Sequence, residues 1–179
     1  HQVVYLGRLI ELKGIMLLMD VIKNIKTDIP FHVSLYGKGE LENEIKQYIK
    51  KYKLENTVAL KGNIDYSQVI GVYQNADIFV HPTLRDSAGT VFIEAIANKL
   101  PIVALDQSFA HDLSEHECGL FVNTKQSKEE IINEFAGKLK ELIENYDLRV
   151  KLGQNGYNYA NTYLTMDYKF DTVYGKLIK

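Results

Sequence analysis

Six apolar runs of strand length recur along the chain: Val3-Val4-Tyr5-Leu6, Phe31 to Tyr36, Val58-Ala59-Leu60, Ile78-Phe79-Val80, Ile102-Val103-Ala104 and Leu120-Phe121-Val122. Each is too short for a helix. The stretches between them place apolar residues three or four apart, as in Met16, Met19, Ile22 and Ile25 or Leu41, Ile45 and Ile49, which is the spacing of an amphipathic helix. Strands that are apolar on both faces and separated by helices demand right-handed crossovers and a parallel sheet covered on both sides. The expected fold is therefore α/β, a doubly wound parallel sheet. After Asn123 the pattern is purely helical, with helices expected near Lys128 to Tyr146, Leu148 to Thr162 and Met166 to Ile178. An α/β core over residues 1–125 and a helical C-terminal segment over 126–179 fit one domain of 179 residues. The chain opens inside a strand-like run without a Met, as an excised domain does.

Charge and cysteine usage narrow the function classes. Lys and Arg number 21 against 23 Asp and Glu, a formal charge of -2, so no electrostatic case exists for nucleic acid as a partner. The single Cys118 cannot form an internal disulfide or a thiolate metal cage, and no metal site is expected. No apolar run is long enough to span a bilayer, and the first residues lack the regions of a signal peptide. A cytoplasmic setting is the expectation.

In a doubly wound sheet, ligands bind beyond the carboxyl ends of the strands, where loops meet helix N-termini. The loop after the first strand, Gly7 to Gly14, carries Arg8 and Lys13 between two glycines. Glycine admits close backbone approach, and Arg and Lys supply a planar fork and a point charge, which together suit a diphosphate. A solvated loop with Arg8 paired to Glu11 is the alternative. Gly37-Lys38-Gly39 after the second strand begins like a dinucleotide fingerprint, but Glu42 stands where its third glycine belongs and no acid follows at the ribose position, so a nicotinamide cofactor is disfavoured. A tight turn into the helix of Leu41 and Ile45 explains it better, with Lys38 still able to face a ligand.

The segment Ala76 to Ala104 is the most informative. Its strand ends at His81-Pro82, and Ser87-Ala88-Gly89 leads into a helix bearing Val91, Phe92, Ala95 and Ile96. Small residues at a helix start expose backbone N–H groups to an anion. Asp86 precedes that start, where helix capping together with Ser87 is the competing role. Glu94 lies in an apolar run and needs a partner; a Lys or Arg elsewhere would serve. His81 reads as a packed strand-end residue more readily than as a catalyst.

Taken together, Gly7-Arg8-Leu9 with Lys13-Gly14, Gly37-Lys38-Gly39, Val58 to Gly62, Ala76-Asp77 with His81-Pro82-Thr83, and the acids Asp86 and Glu94 resemble the retaining GT-B glycosyltransferases. The likeness is to the C-terminal, donor-binding domain of the group 1 or family 4 type and covers almost the whole chain. It implies a single Rossmann-like GT-B C-terminal domain with a helical C-terminal extension. It also implies that a separate N-terminal domain binds the acceptor, and that this chain is inactive in sugar transfer alone.

On that resemblance Arg8 and Lys13 hold the donor diphosphate, with Gly7 and Lys38 beside them. Glu94 binds the ribose hydroxyls, Asp86 and the amides of Ala88, Gly89 and Thr90 bind the donor sugar or distal phosphate, and Gly62 and Asn63 face the nucleobase. Arg8, Lys13, Asp86 and Glu94 would form the catalytic set. The implied partner is a UDP or GDP sugar, with no cofactor and no metal. The implied setting is polysaccharide or glycolipid synthesis, with the full-length protein peripherally associated with the inner face of the membrane. The chain departs from the family in four places: Asp86-Ser87-Ala88-Gly89 stands for Glu-Gly-Phe-Gly, Lys99 for a small residue or Gly, Ser108-Phe109 for a glycine pair, and Asp112 for a Glu. A non-catalytic nucleotide-binding or interaction domain, and the corresponding half of a sugar epimerase, are the rival functions.

Overall fold

The computed structural model describes residues 1–84 and 89–165. Six parallel strands form one sheet: β1 (Gln2–Leu6), β2 (His32–Tyr36), β3 (Val58–Gly62), β4 (Ile78–His81), β5 (Ile102–Leu105) and β6 (Gly119–Val122). Their order is β3-β2-β1-β4-β5-β6, so the chain winds outward in one direction from β1 and then outward in the other from β4. This is the doubly wound arrangement expected from the sequence, and it places the topological switch point between β1 and β4. The helices are α1 (Ile15–Asn24), α2 (Glu42–Tyr52), α3 (Tyr66–Gln74), α4 (Thr90–Ala97), α5 (Phe109–Glu115), α6 (Lys128–Glu144) and α7 (Tyr146–Tyr163). The helix expected from Met166 to Ile178 lies outside the described residues.

Strand alternation divides the core in two. Val3 and Tyr5 of β1, Ile78 and Val80 of β4, and Val103 and Leu105 of β5 point to a cluster closed by α1, α2 and α6. The intervening Val4, Leu6, Phe79, Ile102 and Ala104 point to a second cluster closed by α3, α4 and α5, as the two-residue period of a strand requires. The whole of β4 and β5 is buried, which is why both read as uninterrupted apolar runs.

The helical segment is held by its apolar face. Phe135, Leu139, Leu142 and Ile143 of α6 are at most 1% exposed, and each such side chain contributes roughly 1.5–3 kcal/mol on burial. The exposed Lys128–Asp20 pair that joins α6 to α1 at 3.3 Å contributes at most about 1 kcal/mol. Ser127 and Glu130 form a capping box at the start of α6. At its end the buried Arg149 of α7 donates from Nη1 to the Leu142 and Ile143 carbonyls at 2.5 and 3.1 Å, satisfying oxygens that the helix itself leaves without donors. From there α7 crosses between the two cores, with Leu152 in the first and Tyr159 and Ala160 against the second. Among the described residues no helix is long and apolar enough to cross a membrane.

Candidate functional site

The loop after β1 lies across the carboxyl edge of the sheet, and main-chain hydrogen bonds fasten it on both sides. Toward β2, Gly7 N donates to Tyr36 O, Leu9 N to Lys38 O and Leu41 N to Leu9 O, at 3.0, 2.9 and 3.1 Å. Toward β4, Leu84 N and Thr83 Oγ1 donate to Leu12 O at 3.0 and 3.3 Å. Arg8 and Lys13 thus sit on one backbone bridge over the switch point. Arg8 lies at the β2 end and is exposed; Lys13 ends a short 3-10 turn, Glu11–Lys13, near the β4 end and is half-buried.

Three glycines make that bridge possible. A Cβ on Gly37 would stand 1.9 Å from Gly7 O, one on Gly39 2.2 Å from Leu9 O, and one on Gly14 2.0 Å from Pro82 O. Gly37 and Gly14 also have φ of +137 and +65, which side chains rarely adopt. The Gly37-Lys38-Gly39 turn is therefore shaped by the neighbouring loop that passes over it, and it leads into α2 as expected, with Glu42 paired to Lys46 one turn on at 2.6 Å.

Beside the bridge opens a cleft of about 440 Å³ lined by Leu6, Gly7, Arg8, Tyr36, Gly37, Lys38, Asn63, Ile64 and Val69. Of the expected ligand-binding residues, Gly7, Arg8, Lys38 and Asn63 meet here. Arg8 and Lys38 bring two cations to the cleft lining, and Leu6, Ile64 and Val69 make part of it apolar. Gly62 is not among the lining residues: its φ is +70, and its carbonyl accepts from Gly37 N at 2.9 Å, which ties the β3 end to the β2 loop.

Lys13, Gly89, Thr90 and Glu94 do not line this cleft and belong to the β4 side of the bridge. Gly89, with φ +63, is the N-cap of α4 and, as a glycine, brings no side chain to cap it. A Cβ there would stand 2.4 Å from Phe109 Cδ1, so only glycine fits. The cap position is thus occupied by Gly89, three residues beyond Asp86, and the main-chain N–H groups at Gly89 and Thr90 open the helix. Asp86 and Ala88 lie outside the described residues.

Glu94 is half-buried on α4. The partner it needs within the fold is a phenol rather than a Lys or Arg: Tyr73 Oη donates to Glu94 Oε2 at 3.1 Å. Sequence reasoning missed Tyr73 because a tyrosine in an apolar stretch reads as core; the available signal was the need of Glu94 for a donor. Burial first, and then the charge of Glu94, push the Tyr73 hydroxyl well above the ordinary tyrosine range, so it stays protonated and donates. His81, 1% exposed, stacks on Tyr5 at 5.3 Å and meets Phe92 edge-on at 5.2 Å. Its Cε1 comes within 3.2 Å of where a Gly7 Cβ would stand, which makes its ring part of the floor under the bridge.

At two of the departures from the family pattern the backbone keeps a conformation suited to glycine. Lys99 has φ +60, and Ser108 has φ 53 with ψ -138. Among the described residues no group of three or more His, Cys, Asp or Glu side chains is placed to hold a metal ion.

The family model for glycosyl transferases group 1 matches residues 1–159. The chain is 32% identical over 157 residues to the capsular polysaccharide biosynthesis glycosyltransferase CapM of Staphylococcus aureus, covering 85% of this chain and 39% of CapM. It is 26% identical over 159 residues to an uncharacterized glycosyltransferase, MJ1178, of Methanocaldococcus jannaschii, covering 89% of this chain and 43% of that protein. It thus spans about two-fifths of the length of these relatives. Among solved structures, the C-terminal domain of the group 1 glycosyl transferase LpcC of Francisella tularensis superposes with a TM-score of 0.81 at 23% identity, covering 93% of this chain and 87% of that one. The pneumococcal O-GlcNAc transferase GtfA, in complex with UDP and GlcNAc, superposes at 0.82 and 19% identity over 99% of this chain and 36% of GtfA. A family match across nearly the whole chain, on a sheet wound about a glycine-laced cationic bridge, leaves one assignment: the chain belongs to the glycosyl transferases group 1 family.

Proposed function

We propose that the chain is the donor-binding half of a glycosyltransferase. Together with an N-terminal domain that binds the acceptor, it would transfer a sugar from a nucleoside diphosphate to an acceptor hydroxyl with retention of configuration. The observation that carries this reading is the cleft at the carboxyl ends of β1, β2 and β3, whose lining brings Arg8 and Lys38 together with Asn63, Ile64 and Val69. An apolar slot beside two cations suits a base joined to a diphosphate.

In this reading Arg8 and Lys13 hold the diphosphate, with Gly7 and Lys38 beside them, and Gly62 and Asn63 shape the nucleobase end. The start of α4 at Gly89 and Thr90, with Asp86 and Ala88, receives the distal phosphate or sugar, and Glu94 binds the ribose hydroxyls. Chemistry requires that a departing diphosphate be stabilised. Arg8, Lys13 and the positive end of α4 supply fixed potential where that charge grows, the term that usually dominates such catalysis, so the reading calls on no metal ion. UDP or GDP sugars are the proposed donors, as the GtfA complex contains UDP. Surface polysaccharide or glycolipid synthesis at the inner face of the cytoplasmic membrane is the proposed setting.

Calorimetric titration with UDP and GDP tests the assignment. One of them binds, and Arg8→Ala or Lys13→Ala abolishes or sharply weakens that binding. Equal affinity in both variants and the parent would overturn it.

A further inference from the structure

Tyr73 reaches from α3 to α4, and its hydroxyl lies 3.1 Å from Glu94 Oε2 and 3.4 Å from the Val91 carbonyl. A hydroxyl has one proton to give, and the nearer, charged acceptor takes it in the stronger bond. Among the described residues this is the one side-chain hydrogen bond that Glu94 receives.

The phenol is locked. Tyr73 is 1% exposed, its ring meets Phe79 edge-on at 5.8 Å, and Phe79 meets Phe92 edge-on at 6.0 Å. Val69, one turn before Tyr73 on α3, lines the cleft. The phenol that holds Oε2 is thus carried on the same helix that supplies Val69 to the cleft.

The chemistry of the partner matters. A half-buried carboxylate among apolar neighbours needs a donor, and a lysine or arginine would supply one while cancelling its charge. A phenol supplies the donor and leaves the negative charge in place, with Oε1 still able to accept. Two adjacent hydroxyls of a ribose are the natural donors for such a group.

We infer that Tyr73 is a positioning residue that presents Glu94 to the ribose diol of the nucleotide and so makes the site selective for a ribonucleotide. The inference rests on the assignment of Glu94 to the ribose given above. The test compares UDP with 2′,3′-dideoxy-UDP, or the GDP pair if GDP is the nucleotide bound, by competition titration on the parent chain, Tyr73→Phe, Glu94→Ala and the double variant. The parent prefers the ribonucleotide. Tyr73→Phe weakens ribonucleotide binding about threefold to tenfold, the size of one hydrogen bond, and leaves the dideoxy analogue unchanged. Glu94→Ala removes the preference, and adding Tyr73→Phe to it changes nothing further.

If Glu94→Ala removes the preference while Tyr73→Phe leaves it intact, or weakens both nucleotides equally, Tyr73 has no positioning role and the ribose assignment of Glu94 stands. If Glu94→Ala leaves the preference intact, or the parent shows none, the assignment and the inference fall together. Thermal unfolding of each variant separates loss of fold from loss of selectivity.

Discussion

Asp106 Oδ1 lies 2.8 Å from His111 Nδ1, joining the end of β5 to the first turn of α5. The hydrogen bond to Asp106, and then its charge, raise the His111 pKa above the ordinary 6.5. A group whose folded pKa is raised contributes stability that is complete below the unfolded value and is lost as pH rises through the folded one. The His111 imidazole followed by NMR therefore titrates above 6.5, and Asp106→Asn returns it to the ordinary range. An unshifted midpoint in the parent chain contradicts the pair.

Gly37→Ala meets the Gly7 carbonyl oxygen at 1.9 Å with φ at +137, and both backbones are tied by hydrogen bonds, Gly7 N to Tyr36 O and Gly37 N to Gly62 O. The substitution destabilises the fold by about 3 kcal/mol or more, read as a fall in the denaturant midpoint. A variant as stable as the parent would show that the bridge is looser than its hydrogen bonds indicate.

Ser108→Gly should act in the opposite direction. Ser108 is exposed, makes no cap hydrogen bond to α5, and holds φ 53 with ψ -138. Relief of that strain is partly offset by the freer unfolded chain, leaving a gain of about 1 kcal/mol. Lys99→Gly gains less, although its φ is +60, because Lys99 Nζ also sits over the Tyr157 ring at 4.7 Å. Chemical denaturation of the two variants side by side tests the ordering.

Burial pushes the Cys118 thiol up to about 12, and the residue is 0% exposed. Thiolate is the reactive form, so a thiol reagent modifies the native chain at least about a hundredfold more slowly than the denatured chain. Rapid labelling of folded protein is the contrary result.

The sheet was legible in the sequence because its strands are apolar on both faces: Ile78 to His81 and Ile102 to Leu105 are buried throughout. Two helices were far less visible. α3 buries Val69 and Tyr73 but exposes Tyr66 and Ile70, so its apolar residues mark no single face. α5 spans seven residues and buries Ala110 and Leu113, too little for a period to show. In the candidate site, Arg8 and Lys38 could be picked out because charge beside glycine after a strand is a local signal. The reason for Gly37 and Gly39 could not, since it is the Leu9 and Gly7 carbonyls of a distant loop that exclude a Cβ. Tyr73 was missed because it reads as core in its own stretch, while the partner that reveals its role, Glu94, is twenty-one residues away.

The bridge from Gly7 to Gly14 is fastened to the loops after β2 and β4 mainly by backbone atoms, with side-chain donors from outside it, Thr83 Oγ1 to Leu12 O and Tyr5 Oη to Arg8 O. Its shape therefore does not depend on the side chains it displays at positions 8, 10, 11 and 13. Mutation can exchange those groups one at a time without refolding the support. A lineage built on this lacing can drift in what it grips while keeping the grip in the same place, which gives one scaffold access to many substrates.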